Sequence, residues 1–309
     1  MNDKTIKITL VIAAYNRAEL TIKCLTSIAQ QTLQNQFYEV LIVNNNSTDE
    51  TESIVSKFIK DKEGFRLINE REQGLSAVRN RGWREANGEY VLFIDNDIQV
   101  TKNLLEKVLS AFEKNTPSPI VVGAKILPEY ESAPANWWID DFEIRTWGDR
   151  PRFLDVSEAR NGFSGGCCAF KKATLENHDG FSTSYGMTGG KIRGGEETNL
   201  FNRIHSSNLD NSNTLWYDPD IEVFHWVPNE HLSFFYHLSR SYGFGVSTRE
   251  NSPQKRHIIK YFLGLFLPLP FLFKRLFQMS KSNNYRWSTR WVILLKDFSW
   301  KLGYYWTQN

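Results

Sequence analysis

The stretch YVLFIDND (residues 90–97) places two carboxylates, Asp95 and Asp97, directly after five consecutive apolar residues. An apolar run of this length is typical of a buried strand. Strands of α/β sheets open at their carboxyl ends onto the crevice where these folds bind ligands, and carboxylate oxygens there suit Mg²⁺ or Mn²⁺. Because Asp and Asn also start turns, the motif alone predicts either a cation site or an ordinary turn.

Strand and helix patterns alternate on the N-terminal side of this stretch. The strand patterns cover residues 6–13, 40–43 and 66–68. Residues 74–86 predict a helix, and Gly88 ends it before the next strand. Such alternation predicts parallel βαβ units with right-handed crossovers. Residues 1–100 therefore predict a nucleotide-binding half, but not of the dinucleotide type, because no GxGxxG follows the first strand.

Residues 101–230 predict a second half of the same domain. Helical spacing of apolar residues covers residues 104–112. Strand-like runs follow at residues 120–126, 165–170 and 221–224. The stretch 128–162 is irregular and rich in turn residues, which is typical of a binding loop. Residues 231–309 predict a helical extension.

The charge of the chain is divided unevenly between these parts. The net charge of +2 combines 12 Lys/Arg against 2 Asp/Glu in residues 231–309, or +10, with 25 against 33 in residues 1–230, or −8. Residues 231–309 also hold 19 of the 43 aromatic residues. A basic, aromatic and apolar segment is typical of an element on an anionic membrane surface. Nucleic acid is the rival partner, but the apolar stretch at residues 261–273 fits it poorly, so no nucleic-acid partner is expected.

Cysteine usage and the N-terminus predict a cytoplasmic chain. The three cysteines, Cys24, Cys167 and Cys168, are too few and too unevenly spaced for a disulfide framework or a zinc site. The N-terminal residues lack the apolar core of a signal peptide, so export is not expected. The longest apolar stretch, residues 261–273, is interrupted by two prolines, which favours lying on the inner face of the plasma membrane over crossing it. The alternatives are that residues 231–309 pack on the domain or form a homodimer.

Two polar stretches follow the first two strands. Ala14, Tyr15, Asn16 and Arg17 form a strand-to-helix junction, where a helix N-terminus favours an anionic or polar ligand. The run NNNSTD (residues 44–49) offers side-chain amides that can contact the edges of a base. An ordinary capped turn explains each stretch equally well.

Three further constellations carry chemistry. Arg79 and Asn80 lie about one helical turn after Gly74, where they can face a diphosphate, or they belong to a solvated basic helix. Glu196 and Glu197 follow two glycines, and they are either surface charges of a first helical turn or a general base presented into a cleft. His225 ends the last strand, where it is either structural or a metal ligand beside Asp97.

These motifs, in this order and spacing, resemble the family 2 glycosyltransferases over roughly residues 6–230. The resemblance implies a GT-A nucleotide-diphospho-sugar transferase fold of the α/β class. Its sheet is mostly parallel and flanked by helices, with a helical C-terminal extension at residues 231–309. It implies a catalytic domain at residues 1–230, in which residues 1–100 bind the nucleotide and residues 101–230 the acceptor.

The resemblance also implies a role for each matched residue. The donor-binding residues would be Ala14, Tyr15, Asn16, Arg17, Asn45, Gly74, Arg79, Asn80, Asp95 and Asn96. The metal ligands would be Asp97, Asp95 and His225, and Glu197 would be the catalytic base, with Glu196 as the alternative. Trp137 and Trp138 are candidate stacking platforms for an acceptor sugar, although core packing explains them equally well.

The function implied is an inverting, Mn²⁺- or Mg²⁺-dependent transfer of one sugar from a nucleotide diphosphate sugar. The acceptor would be a sugar or a lipid-linked hydroxyl in cell-surface polysaccharide or glycoconjugate synthesis. Asn44 and Asn45 replace acids that commonly read uracil, so UDP, dTDP and GDP donors stay open. Glu197 replaces the more usual Asp, and the Q-x-x-R-W motif of processive synthases is missing. The alternatives are a non-catalytic sugar-nucleotide or membrane-surface binding module and, more weakly, a nucleotidyltransferase.

Overall fold

Nine strands form one mixed sheet in this computed structural model, which describes residues 5–154, 163–188, 194–207, 215–250 and 286–306. The strands are β1 Ile8–Ala14, β2 Tyr38–Asn44, β3 Phe65–Asn69, β4 Tyr90–Asp95, β5 Ile98–Val100, β6 Val121–Tyr130, β7 Arg152–Leu154, β8 Cys167–Lys171 and β9 Leu215–Val227. Their order is β3-β2-β1-β4-β8-β6-β9-β5, and β7 pairs with β9. The first four strands in this order are parallel, and β8 joins β4 antiparallel.

Eight α-helices accompany these strands in the described residues. They are α1 Ala18–Ile28, α2 Thr51–Ile59, α3 Leu75–Glu85, α4 Leu104–Lys114, α5 Lys172–Asn177, α6 Glu196–Ser207, α7 Phe234–Glu250 and α8 Trp287–Trp306. Short 3₁₀ helices lie at Asn35–Phe37, Asp140–Phe142 and Asn229–Leu232. The predicted α/β architecture with helices around a central sheet is confirmed.

The strands of the parallel part are apolar on both faces because helices cover both. Side chains alternate across a strand. Leu10 and Ile12 of β1 therefore pack into a core with Leu25 and Phe112, whereas Val11 packs into the core on the other face. On that other face, a Cβ at Gly82 of α3 would lie 2.2 Å from Val11 Cγ1, so glycine is what lets α3 approach β1 this closely. Burial on both faces explains why these strands appear in the sequence as continuous apolar runs.

The chain divides into two compact units. The first comprises residues 1–129, 143–184 and 196–226, and it contains most of the sheet. The second comprises residues 130–142, 185–195 and 227–309, and thus takes in two segments that precede the predicted boundary near residue 230. Among the residues with a described position, no helix is both long enough and apolar enough for a membrane span. The apolar run at residues 261–273 lies outside the described residues.

Candidate active site

The polar turns predicted from the sequence meet at one edge of the parallel sheet. Ala14, the last residue of β1, pairs in register with Asn44 of β2, and Ala13 pairs with Asp95 of β4. The carboxyl ends of three strands are therefore level, and the turns that follow them are neighbours. This is the edge at which α/β sheets bind ligands.

The first two turns are locked together by short hydrogen bonds. The Asn16 backbone N–H donates to Ser47 Oγ at 2.9 Å, and Asn16 Oδ1 accepts from the Thr48 N–H at 2.9 Å. Both Asn16 and Arg17 have positive φ angles, 53° and 61°, which bend the chain sharply as α1 begins. Tyr15 is 42% exposed beside this bend. The junction is thus rigid backbone with an exposed aromatic ring next to it.

Asp49 caps two helices at once. Its Oδ2 accepts from the Ala18 N–H at the start of α1, and its Oδ1 accepts from the Thr51 N–H at the start of α2. Partial burial would raise the pKa of Asp49, but these hydrogen bonds outweigh it and lower the pKa. The carboxylate therefore holds the N-termini of both helices beside the same edge of the sheet.

The Asn45 side chain forms its hydrogen bonds with groups inside the protein. Its Oδ1 accepts from the Gly74 N–H at 2.8 Å and from Gln73 Nε2 at 3.1 Å. Its Nδ2 donates to the carbonyl oxygens of Glu70 and Glu72 at 3.0 and 2.7 Å. The side chain is 2% exposed, so it shapes the loop that leads into α3. A carboxylate at this position could not donate to either carbonyl.

The side chains of Asn44 and Asn96 also form hydrogen bonds within the protein. Asn44 Nδ2 donates to Asn69 Oδ1 at 3.0 Å and to Glu52 Oε2 at 3.3 Å. Asn96, between the two acids of the DND turn, donates from Nδ2 to Thr21 Oγ1 at 2.9 Å. The middle residue of the DND motif therefore anchors its turn to α1.

Asp97 lies between an arginine and a histidine. Its Oδ2 is 2.9 Å from Arg17 Nη1 and 3.7 Å from His225 Nε2, because β5 and β9 pair Ile98 with His225. Burial would raise the pKa of Asp97, but hydrogen bonding and charge from His225, together with the Arg17 charge, hold it below its usual range. Asp97 is thus an anion paired with the Arg17 guanidinium and lying beside the His225 ring.

The donor set at this turn suits a hard divalent ion. Within the described ranges no group of three or more His, Cys, Asp and Glu side chains is gathered as a metal site, so the predicted trio of Asp95, Asp97 and His225 is not assembled as one ligand set. Asp97 and His225 do converge, and Mg²⁺-type sites commonly use one or two protein ligands and complete their shell with water and substrate phosphates. Arg17 already places a cation at Asp97. The residues therefore fit a metal–diphosphate group.

Arg79 connects the DND turn to the acidic pair. Its Nη2 is 3.4 Å from Asp95 Oδ1, and its Nη1 is 2.9 Å from Glu197 Oε1 and 3.1 Å from Glu196 Oε1. The side chain is 2% exposed, and its guanidinium lies over the Phe181 ring. Burial would lower the pKa of Arg79, but the charge of Glu197, followed by that of Asp95, raises it, so the group stays charged. It is neither on a solvated helix surface nor open towards a diphosphate.

Gly165 holds Glu197 from the other side. Its N–H donates to Glu197 Oε1 at 3.0 Å, and a Cβ at this position would lie 2.0 Å from that same oxygen. The sequence indicated only the start of a strand here, and no local signal marked the glycine as part of the site. Its role follows from contact with a residue 32 positions later in the chain.

Glu196 and Glu197 have different surroundings. Glu196 is 3% exposed, and its Oε2 is buried with no hydrogen-bond partner among the described residues. Burial, followed by the charge of Glu197, raises the pKa of Glu196 to about 8 against the opposing charge of Arg79. The Glu197 side chain is 18% exposed and its Oε1 accepts two hydrogen bonds. Glu196 is therefore largely protonated at neutral pH, and Glu197 is the better-solvated acid.

Asn80 is a structural residue in this arrangement. Its Nδ2 donates to the Phe181 carbonyl at 2.6 Å, and its Oδ1 accepts from the Phe181 N–H and from Trp83 Nε1. It is 4% exposed, so its amide fastens the Gly180–Phe181 turn to α3. A diphosphate would have to displace these bonds to reach it.

Trp137 and Trp138 belong to an aromatic cluster of the second unit. Trp138 is 9% exposed, its Nε1 donates to the Tyr130 hydroxyl at 2.9 Å, and its ring lies 4.7 Å from that of His237. Trp137 is partly exposed and meets the rings of Phe142 and His237. Trp138 is thus mainly a packing residue, and Trp137 keeps more of its surface.

The sequence pattern of glycosyl transferase family 2 matches residues 9–178, which is more than half of the chain. The chain belongs to this family. The match covers the junction at Ala14, the asparagine turn, α3 and the DND turn, and it ends before Glu196 and His225. The predicted family is confirmed.

Relatives and solved structures agree with this assignment. The chain is 34% identical over 119 residues to the poly(ribitol-phosphate) beta-glucosyltransferase of Bacillus spizizenii, a match covering 38% of this chain and 19% of the relative. The chain spans less than half the length of each such curated relative. The mannosyltransferase PcManGT from Pyrobaculum calidifontis, solved with GDP-Man and Mn²⁺, superposes with a TM-score of 0.67 at 18% identity, covering 99% of this chain and 90% of that one. S. aureus TarS with UDP-GlcNAc gives 0.56 at 20% identity, covering 95% and 80%. At these identities the solved structures establish the fold.

Proposed function

We propose that this chain transfers a single sugar from a nucleotide diphosphate sugar to an acceptor hydroxyl, with inversion at the anomeric carbon. The observation that carries the proposal is the continuous ion-pair chain from Asp95 through Arg79 to Glu197. It connects a carboxylate turn suited to a diphosphate with an acid suited to accept a proton. The names of the relatives, which include glucosyl- and mannosyltransferases, support the same reaction class.

Asp97 and His225, which converge, would hold Mn²⁺ or Mg²⁺ together with the donor diphosphate, and Asp95 would join them by turning from its ion pair with Arg79. When bound, the ion would stabilise the negative charge of the departing nucleoside diphosphate. Arg17 now pairs with Asp97 Oδ2, so it would have to release that oxygen. The freed guanidinium is chemically suited to a phosphate oxygen. The bound Mn²⁺ of PcManGT supports this assignment.

Glu197 is the residue that we assign as the general base. A base must be ionised and reachable by the acceptor hydroxyl. Glu197 is the more exposed acid, and Arg79 and Gly165 hold its Oε1. Glu196 is buried, and its raised pKa keeps it protonated at neutral pH. Glu197 would take the proton as the acceptor oxygen attacks the anomeric carbon, while Glu196 remains neutral behind it.

The identity of the donor's nucleotide base is the part of the substrate about which the site residues say least. Asn44 and Asn45, which occupy the place of the usual acidic base readers, are saturated by internal hydrogen bonds. Base selection would therefore rest on other groups of this edge. PcManGT was solved with GDP-Man and TarS with UDP-GlcNAc, so GDP and UDP sugars lead the set to be tested.

We place the reaction in cell-surface polysaccharide or glycoconjugate synthesis, at the inner face of the plasma membrane. The acceptor would be a sugar or a lipid-linked hydroxyl. The excess of positive charge in residues 231–309 supports a position at an anionic leaflet.

A donor panel tests the proposal. The chain is incubated with UDP, dTDP and GDP sugars, Mn²⁺ and oligosaccharide or lipid-linked acceptors, and released nucleoside diphosphate is measured. Glu197→Gln should reduce turnover by about 10²- to 10⁴-fold, the usual contribution of a general base, and should still bind donor. Asp97→Ala should abolish the Mn²⁺-dependent part. If no donor in the panel yields nucleoside diphosphate, the result would favour a non-catalytic binding module. Released pyrophosphate would indicate a nucleotidyltransferase.

A further inference from the structure

Helix α7 buries polar and small residues, and both of the last two helices expose aromatic ones. The buried residues of α7 are His237, Ser241, Gly245 and Ser247. Its exposed large side chains are Phe235, Tyr242 and Phe244, at 79%, 42% and 41% exposure. A surface helix of a soluble protein normally shows the reverse arrangement, with its apolar stripe towards the core. The buried side chains of α7 are therefore polar or small, and the large aromatic side chains of Phe235, Tyr242 and Phe244 are exposed to solvent.

An apolar line also runs along the exposed side of α8. Trp287, Trp291 and Leu295 recur every four residues and are 64%, 53% and 40% exposed. Phe298 and Leu302 continue the same line and are partly buried. Of the eight exposed large hydrophobic residues in the described part of the chain, six lie on α7 and α8. We call Trp287, Trp291 and Leu295, which lie on one side of α8, the aromatic face.

Close backbone contact explains why these side chains are left outside. A Cβ at Gly245 would lie 2.0 Å from the Trp300 carbonyl oxygen, and one at Gly303 would lie 2.1 Å from the Tyr242 carbonyl oxygen. Small residues that let two helices approach this closely are the usual means by which helices associate in lipid. The two helices therefore approach each other at glycines, away from the side of α8 that carries Trp287 and Trp291.

Polar contacts complete the same seam. Lys296 Nζ lies 3.2 Å from His237 Nδ1, and Ser299 Oγ donates to the Leu238 carbonyl at 2.7 Å. Hydrogen bonding across a helix pair supplies attraction that does not depend on burying apolar surface from water. These polar contacts add to the close approach at Gly245 and Gly303, while Trp287, Trp291 and Leu295 stay exposed.

The charge of α7 and α8 indicates what their exposed side chains contact. The two helices hold five Lys/Arg against two Asp/Glu, within a net +10 for residues 231–309. The guanidinium groups of Arg240 and Arg290 lie 5.6 and 5.1 Å from the ring centres of Phe244 and Trp287. Tryptophan and tyrosine favour the headgroup level of a bilayer, and Lys and Arg are attracted to anionic lipid. A second copy would bring the same positive excess, which opposes self-association through this face.

We infer that the aromatic face of α8 docks on the surface of an anionic membrane. This inference deepens the proposed location by naming the residues that enter the headgroup region. It does not depend on the proposed reaction, because the vesicle measurement below needs neither donor nor acceptor.

The test uses the full chain and vesicles of defined composition. Flotation is measured with vesicles of phosphatidylcholine mixed with anionic phosphatidylglycerol, and with vesicles of pure phosphatidylcholine. The double variant Trp287→Ser/Trp291→Ser is compared with the wild type and with Met187→Ser. Met187 is 48% exposed and lies outside both helices, so it is a matched control for losing an exposed apolar side chain. Circular dichroism checks that each variant folds.

We expect the wild type and Met187→Ser to float with the anionic vesicles, and the double variant to lose binding by at least about tenfold. Added salt should weaken wild-type binding, since it screens the basic groups. Three results would overturn the inference. These are failure of the wild type to float at low salt, equal binding to neutral vesicles, and undiminished binding by the folded double variant. A wild-type dimer that the double variant converts to monomer, without vesicle binding, would assign the face to a second copy instead.

Discussion

Arg79 Nη1 lies 2.9 Å from Glu197 Oε1, although the two residues are 118 positions apart in the chain. The second terminal nitrogen of the same guanidinium, Nη2, lies 3.4 Å from Asp95 Oδ1. A single buried cation thereby fixes the position of the proposed base relative to the DND turn. A planar, permanently charged group suits this role, because its nitrogens point in fixed directions.

Replacing Arg79 with lysine should uncouple these acids while keeping the charge. The lysine ammonium group lacks the planar set of nitrogens with which arginine contacts Asp95 and Glu197 at once. Glu197 therefore loses its orientation. Misplacement of a reacting group by about 1 Å can cost about 100-fold in rate, and we expect kcat to fall by this order with a smaller change in the KM for donor. Steady-state kinetics check this.

Arg81→Lys is the matched control for that substitution. Arg81 lies on the same helix, and its side chain is 42% exposed in an ion pair with Glu85. Exposed pairs contribute little, so turnover should stay within about twofold of the wild type. If Arg79→Lys is as active as Arg81→Lys, Arg79 does not position the base.

Gly165→Ala and its neighbour Gly166→Ala should behave differently. A methyl at Gly165 would lie 2.0 Å from Glu197 Oε1 and 2.2 Å from Arg79 Nη2, whereas the nearest atoms to one at Gly166 are 3.5 Å away. Gly165→Ala must therefore displace the base, and we expect a loss of about 100-fold in kcat. Gly166→Ala should be nearly neutral. Equal activity of the two variants would contradict the contact between Gly165 and Glu197.

Glu196→Gln should change how stability depends on pH. The pKa of Glu196 is raised from 4.5 to about 8, so between these values the folded protein binds more protons at this site than the unfolded chain. The contribution of Glu196 to stability is therefore fully present below about pH 4.5, and it declines as the pH rises towards 8. Glutamine resembles the protonated acid at every pH.

Urea denaturation at several pH values measures this effect. The free energy of unfolding of the wild type minus that of Glu196→Gln should decrease as the pH rises from about 5 to 8. Taking the difference cancels the other titrating groups. A difference that is flat with pH would show that Glu196 is ionised in the folded state.

Asn45→Asp should damage the donor-binding edge, even though acids are common at this place in the family. A carboxylate would face the carbonyl oxygens of Glu70 and Glu72, to which Asn45 now donates. Leaving buried polar groups unpaired costs about 1–3 kcal/mol, and we expect a loss of this size in the free energy of unfolding. Binding of donor should weaken as well, since the Gly74 end of α3 loses its anchor.

Asn46→Asp provides the comparison. Asn46 is exposed, and Asp tolerates the positive φ of 57° found there. This variant should lose less stability than Asn45→Asp in the same urea titration. A wild-type level of stability in Asn45→Asp would show that the loop can rearrange around an acid.

The sequence by itself determined the features that depend on short-range patterns. Continuous apolar runs identified the parallel strands, since burial on both faces leaves no polar alternation. The DND motif followed the fourth of these strands, as the structure confirms for β4. The order of motifs also identified the family, because each motif is a local turn or helix start with recognisable residues.

Only the tertiary structure decided what each polar side chain contacts. Asn45 and Asn80 were predicted to bind the donor. In the structure each side-chain amide hydrogen-bonds to a backbone carbonyl, 25 positions away for Asn45 and 101 positions away for Asn80. Gly165 carried no local signal, and its contact with Glu197 exists because β8 and α6 meet at the sheet edge. The exposed aromatic residues of α7 and α8 depend likewise on which side each helix turns towards its neighbour. Hydrophobic periodicity records burial but not partners, and hydrogen-bond partners are set by packing between segments that are distant in sequence.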